Sequence, residues 1–208
     1  MDRLGLTLVI LDYAAVAVFA ASGALAAARR RHDIVTFGFF ASITGVGGGT
    51  LRDLLIGAPV FWVGKPSYIL VCLAAAAAVW AFGPGARREA SLLWLDALGM
   101  AAYSVVGALK ALSLGIPPFS SVLMGVLTAT FGGVLRDVVA EEPSVLLRRE
   151  LYVTPALLGA TSFVLLRWIE APVMVAGLAG FLAAFALRGA AIVFNLSLPP
   201  FGGRAPPA

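Results

Sequence analysis

The sequence predicts an all-α membrane protein of seven transmembrane helices, built as a 3+3 inverted repeat plus one. The N-terminus is expected outside and the C-terminus in the cytoplasm. Three observations lead there: an apolar composition, seven apolar runs, and one glycine-rich phrase that occurs twice. Of 208 residues, 61% are hydrophobic and 12% charged, with mean hydropathy +0.97. Soluble domains carry roughly a quarter charged residues, because they lack the volume to hide this much apolar surface. The net charge of +4 reads as an orientation signal rather than a nucleic-acid footprint. Cys72 is the single cysteine, which excludes an intramolecular disulfide.

The runs, in order, are Leu4–Ala28, Ile34–Ile56, Ser67–Phe82, Ser91–Leu114, Pro118–Ala140, Leu151–Trp168 and Val173–Phe194. The first imitates a secretory signal, with Arg3 ahead of it and small residues near Ala26. It is longer than an h-region of about 7–15 residues and carries Asp12, so it belongs to the fold. Several runs are short against the roughly 20 residues that span a bilayer. In the fourth, Asp96 and Lys110 bound only 13 uncharged residues; the repeat is what supports it. Pro66 and Pro117-Pro118 open runs three and five, where proline is tolerated. Residues 195–208 are rich in Pro and Gly and read as a disordered tail; the sequon at Asn195 is a chance match. With the N-terminus outside, the inner side holds Arg29, Arg30, Arg31, Arg87, Arg88, Arg148, Arg149, Arg188 and Arg204. The outer side holds Arg3, Lys65 and Arg167. Nine against three follows the positive-inside rule.

Gly47-Gly48-Gly49-Thr50-Leu51-Arg52-Asp53 closes the second run, and Phe131-Gly132-Gly133-Val134-Leu135-Arg136-Asp137 closes the fifth, 84 residues later. The same shift places Leu11-Asp12 on Leu95-Asp96, Gly23-Ala24-Leu25 on Gly107-Ala108-Leu109, Thr44 on Thr128, Pro59 on Pro143 and Tyr68 on Tyr152. Residues 4–83 therefore form one three-helix unit and residues 91–168 its copy, with residues 173–194 as an unpaired seventh span. Three is odd, so the copy enters the membrane inverted. Such folds place their site near the midplane at the repeat interface.

Thr44 and Thr128 each lie ten residues into their runs. At 1.5 Å per residue that is about 15 Å, half of a core of roughly 30 Å. Thr44, Gly48 and Arg52 share one helix face, as do Thr128, Gly132 and Arg136. The glycines have two readings. They break or bend the helix and expose carbonyls to a water-lined path for a weakly held cation, or they serve close packing, as Gly45 and Gly49 suggest. The charges are expected as two ion pairs, Asp12 with Arg52 outside and Asp96 with Arg136 inside; Asp53 and Asp137 are the alternative partners. Snorkelling to the headgroups is the competing arrangement. Lys110 aligns with Ala26 and breaks the symmetry, as a cationic gate or a snorkelling side chain. The glycine phrase is no phosphate loop, since it lacks GK[ST]. Hydrolase and metal motifs are missing, so neither an enzyme nor a cofactor is expected beyond a permeant K⁺ or Na⁺.

The 3+3+1 organisation with GGGTLRD in run two and FGGVLRD in run five resembles the prokaryotic trimeric intracellular cation (TRIC) channels, over about Leu11 to Phe194. It also looks like bacterial proteins described as glycine transporters, which overlap the same superfamily. The resemblance implies a homotrimer with a K⁺-conducting pore in each subunit, lined by kinked helices two and five. It maps the kinks onto Gly47, Gly48, Gly49, Gly132 and Gly133. Membrane lipids are the other expected partners. The short chain, without a long charged tail, points to a prokaryotic plasma membrane. The alternative is a secondary transporter for a small solute such as glycine.

Overall fold

The computed structural model describes residues 3–83, 88–144 and 151–199. Seven helices run through them: α1 (Arg3–Arg29), α2 (Ile34–Leu55), α3 (Ser67–Phe82), α4 (Arg88–Ser113), α5 (Pro118–Val139), α6 (Val153–Trp168) and α7 (Val173–Phe194). Five of these, α1, α2, α4, α5 and α7, are long and apolar enough to cross a membrane. At 16 residues each, α3 and α6 rise about 24 Å, short of a 30 Å core. The expected bounds hold within about three residues. Ile56 and Ala140 turn out to be C-caps rather than helical residues. From residue 200 onward the tail lies outside the described residues, as do Arg87, Arg148, Arg149 and Arg204.

Local chemistry sets the ends. Asp33 caps α2 by accepting from the Thr36 amide at 2.9 Å, which holds its carboxyl below the usual range. Pro118 stands at the first position of α5, where a missing N–H costs nothing. Left-handed residues follow several helices. Arg31 (φ 55°) and Gly115 (φ 77°) stand 84 residues apart, as do Gly57 (φ 66°) and Glu141 (φ 53°). In each pair a left-handed turn is thus made with glycine at one position and a charged residue at the other, at some cost in strain.

Packing follows a matched plan. α1 packs on α2 and α3, and α2 on α3; α4 packs on α5 and α6, and α5 on α6. Across the middle, α1 meets α4 and α2 meets α5, while α7 lies against α4 and α6. One apolar cluster centres on Val16, Phe19, Leu25, Phe40 and Met100, and a second on Val105, Phe163 and Ala176.

Candidate functional site

The centre of the molecule is the crossing of α2 and α5, and glycine makes it. A Cβ on Gly48 would collide with the Thr128 carbonyl, and one on Gly132 would stand 2.5 Å from the Thr44 carbonyl oxygen. Residue 44 meets 132 while 48 meets 128, so the helices run antiparallel. Beside this crossing, Gly23 of α1 lies on the Thr44 hydroxyl and Gly107 of α4 on the Thr128 hydroxyl, each 2.5 Å from a built Cβ. Both α2 and α5 are uninterrupted α-helix through these residues. The expected helix break is therefore not what the glycines make; they bring backbones together. Gly47 packs on Leu135, Gly49 on the Phe61 ring and Gly133 on Tyr152. Thr44 and Thr128 are each 1% exposed. Thr128 donates to the Met124 carbonyl, whereas Thr44 Oγ1 has no partner among the described residues.

A charge cluster stands at each end of this crossing. Near the end of α2, buried Asp53 accepts three hydrogen bonds: Arg52 Nε at 2.9 Å and Lys110 Nζ at 2.7 Å on Oδ1, and the Phe61 amide at 3.0 Å on Oδ2. The Phe61 ring lies 5.8 Å from the Arg52 guanidinium and 5.9 Å from the Lys110 ammonium. The Asp12–Arg52 pair does not form: Arg52 takes the alternative partner, and Asp12 accepts from the Tyr68 hydroxyl. Its neighbour on the chain is closer at hand, and the tyrosine satisfies the carboxylate without a second cation. Lys110 does not snorkel; it turns inward from α4 onto Asp53.

Near the end of α5 the expected pair is present. Arg136, 1% exposed, reaches Asp96 Oδ1 at 2.6 Å and Asp137 Oδ1 at 2.9 Å. Ser22 of α1 accepts a longer bond from it at 3.3 Å. Burying this Arg needs a carboxylate partner, because an unpaired charge costs several kcal/mol in such a place.

Four participants were not singled out as site residues beforehand. Arg188 was counted with an inner loop; it is a fully buried residue of α7 that donates to the Leu151 carbonyl at 2.8 Å and stacks on Tyr152 at 5.3 Å. A charge deep inside a 22-residue apolar run was the signal for it. Tyr68 and Tyr152 were visible as matched positions in the repeat. Phe61 gave no signal, since nothing in its loop announces that the ring folds back on Gly49.

At the turn between α1 and α2, Arg29 pairs with Glu89 and Glu142, and Arg30 with Glu142.

Fold and site together define a polytopic helical membrane protein that buries a charged cluster at each end of two crossed helices. The sequence profile of the family described as Glycine transporter matches residues 9–84 and again residues 93–168. The chain belongs to this family, and its fold is that of the prokaryotic TRIC channels. The UPF0126 inner membrane protein YadS of Escherichia coli K12 is 35% identical over 198 residues, covering 92% of this chain and 94% of its own. A UPF0126 membrane protein of Deinococcus radiodurans is 38% identical over 166 residues, 78% of this chain and 75% of that one. Among solved structures, the TRIC trimeric intracellular cation channel orthologue from Rhodobacter sphaeroides superposes with TM-score 0.89 at 47% identity, covering 91% of this chain and 99% of the other. A prokaryotic TRIC channel crystallised in 0.5 M KCl superposes with TM-score 0.85 at 27% identity, over 93% and 99%. The chain is a multi-pass inner-membrane protein.

Proposed function

We propose that this protein is a passive channel for monovalent cations, chiefly K⁺, with one path in each subunit of a homotrimer. The observation that carries the reading is the likeness to the Rhodobacter sphaeroides cation channel orthologue across 91% of the chain, with a charge cluster at either end of α2 and α5. In this reading residues 4–83 and 91–168 are inverted copies, residues 173–194 the added span, and residues 195–208 a tail. The two matches of one family profile, offset by 84 residues, and the reciprocal Gly48–Thr128 and Gly132–Thr44 contacts support it. The excess of basic residues in the sequence on the side of Arg29, Arg30 and Arg31 supports an N-terminus outside and a C-terminus in the cytoplasm.

The path runs along α2 and α5 past Thr44, Gly48, Thr128 and Gly132, with α1 and α4 as its flanks. The arginine at each end is paired with a carboxylate, so it braces the path without standing there as an uncompensated cation. Gly47, Gly49 and Gly133 let Leu135, Phe61 and Tyr152 pack closely beside this path. Lys110 is the gate: its bond to Asp53 closes the outer end, and it is the cation of that cluster with a partly exposed side chain, 30% against 4% for Arg52. Releasing it lets Asp53 and Asp12 attract a permeant cation.

The test is K⁺ efflux from proteoliposomes loaded with KCl, read by an electrode. Wild-type protein releases K⁺ down its gradient without added glycine, and Lys110→Met releases it several-fold faster. Retained K⁺ together with glycine uptake driven by an ion gradient would support the second reading, a secondary transporter, which the family's description names.

A further inference from the structure

Two adjoining grooves against α4, α6 and α7 lie apart from the α2–α5 crossing. One holds about 690 Å³ and the other about 400 Å³. Both are lined by Leu109, Ser113 and Val173, so they form a single trough. Each groove by itself falls in the range of small-molecule sites, roughly 300–1,000 Å³. The walls are Val105 and Leu109 of α4 with Gly177, Leu178 and Phe181 of α7, and Phe163 of α6 forms the floor.

The polar groups of this trough gather at one end, where α4 and α6 finish and α7 begins. Ser113, Arg167 and Trp168 stand there. Trp168 is 77% exposed, as befits a side chain at a membrane interface. Arg167 donates to the carbonyl of Ala171, in the turn between α6 and α7. Unlike Lys110, whose charge meets Asp53 at 2.7 Å, Arg167 has no carboxylate within ion-pair distance among the described residues. An apolar trough that ends in a cation and an interfacial indole is complementary to an amphiphile with a negative head. A guanidinium binds phosphate oxygens in two parallel hydrogen bonds.

We propose that the trough is a binding site for an anionic phospholipid, with one acyl chain along α4 and α7 and its phosphate on Arg167. The wall includes Lys110, so the occupant packs against the residue that holds Asp53. A second copy of this chain is the competing occupant, and it offers nothing specific to the Arg167 charge.

The test uses purified full-length protein stripped of lipid, and its readouts do not depend on ion flux. Phosphatidylglycerol is expected to raise the melting temperature by several degrees and phosphatidylcholine not to. Arg167→Gln loses that shift and Arg167→Lys keeps most of it. A Cβ on Gly177 meets only Val105 Cγ1, at 3.7 Å, so substitutions there enter the trough without disturbing the helices. Gly177→Leu fills it and abolishes the phosphatidylglycerol shift. In a Cys72→Ala background, phosphatidylglycerol slows maleimide labelling of Gly177→Cys several-fold. Equal shifts with the two lipids, or an undiminished shift in Arg167→Gln, overturn the proposal. Efficient cross-linking of Gly177→Cys between subunits by a short bis-maleimide overturns it in favour of the second copy.

Discussion

Gly48→Leu is expected to yield no folded protein. The Cβ alone collides with the Thr128 carbonyl, which belongs to helix backbone and has nowhere to rotate. Relief requires α2 and α5 to separate, and that would open the contacts of α1 with Thr44 and of α4 with Thr128 as well. Overpacking a core usually costs about 1–3 kcal/mol, where flexible side chains give way; two backbones in contact give more than that. Gly132→Leu fails for the same reason from the other side. Gly48→Ala, with the same first atom, should fold poorly and melt well below wild type. Gly64→Ala is the control, because nothing lies within 4 Å of a Cβ there. Size-exclusion profiles and melting curves in detergent distinguish these outcomes; a monodisperse Gly48→Leu protein with a wild-type melting point would remove the crossing from the account.

The second large effect falls on Arg136. Replacement by methionine leaves Asp96 and Asp137 facing one another in a buried site with no shared cation between them. The expected loss is about 3–5 kcal/mol, the usual cost of breaking a buried pair. Asp96→Asn costs less, since Arg136 keeps Asp137 at 2.9 Å. The two changes are in contact and should not add: Asp96→Asn made in the Arg136→Met background relieves a repulsion, with a coupling of roughly 0.5–3 kcal/mol. Lys110→Met at the other cluster is milder in stability, because Asp53 retains Arg52 and the Phe61 amide. Thermal unfolding of the four combinations at the Arg136 cluster, beside Lys110→Met, checks the ranking.

What could be read from the sequence followed from rules that hold locally. Long apolar runs must become helices in a bilayer, and the matched runs 84 residues apart located α1 to α6 within about three residues. The pairing of Asp96 with Arg136 was legible because two opposite charges cannot stay apart in an apolar core. Asp12 and Arg52 obeyed the same rule by a route that periodicity does not encode. A tyrosine from α3 satisfied Asp12, the adjacent Asp53 took Arg52, and Lys110 arrived from α4. The role of the glycines was open for a related reason. The same residue that weakens a helix also lets two helices touch, and only the partner decides which property is used. At Gly48 the partner is the Thr128 backbone. Arg188 was misplaced because charge counting by loops put it on the inner side, although its place within α7 argued for burial.

The most direct test of the central claim is single-channel recording of the purified protein in a planar bilayer under a tenfold KCl gradient. The account predicts discrete unitary currents that reverse near the K⁺ equilibrium potential, about 59 mV from zero for a monovalent ion. A silent bilayer from protein that accumulates glycine in vesicles, or currents that reverse at the Cl⁻ potential, would contradict it.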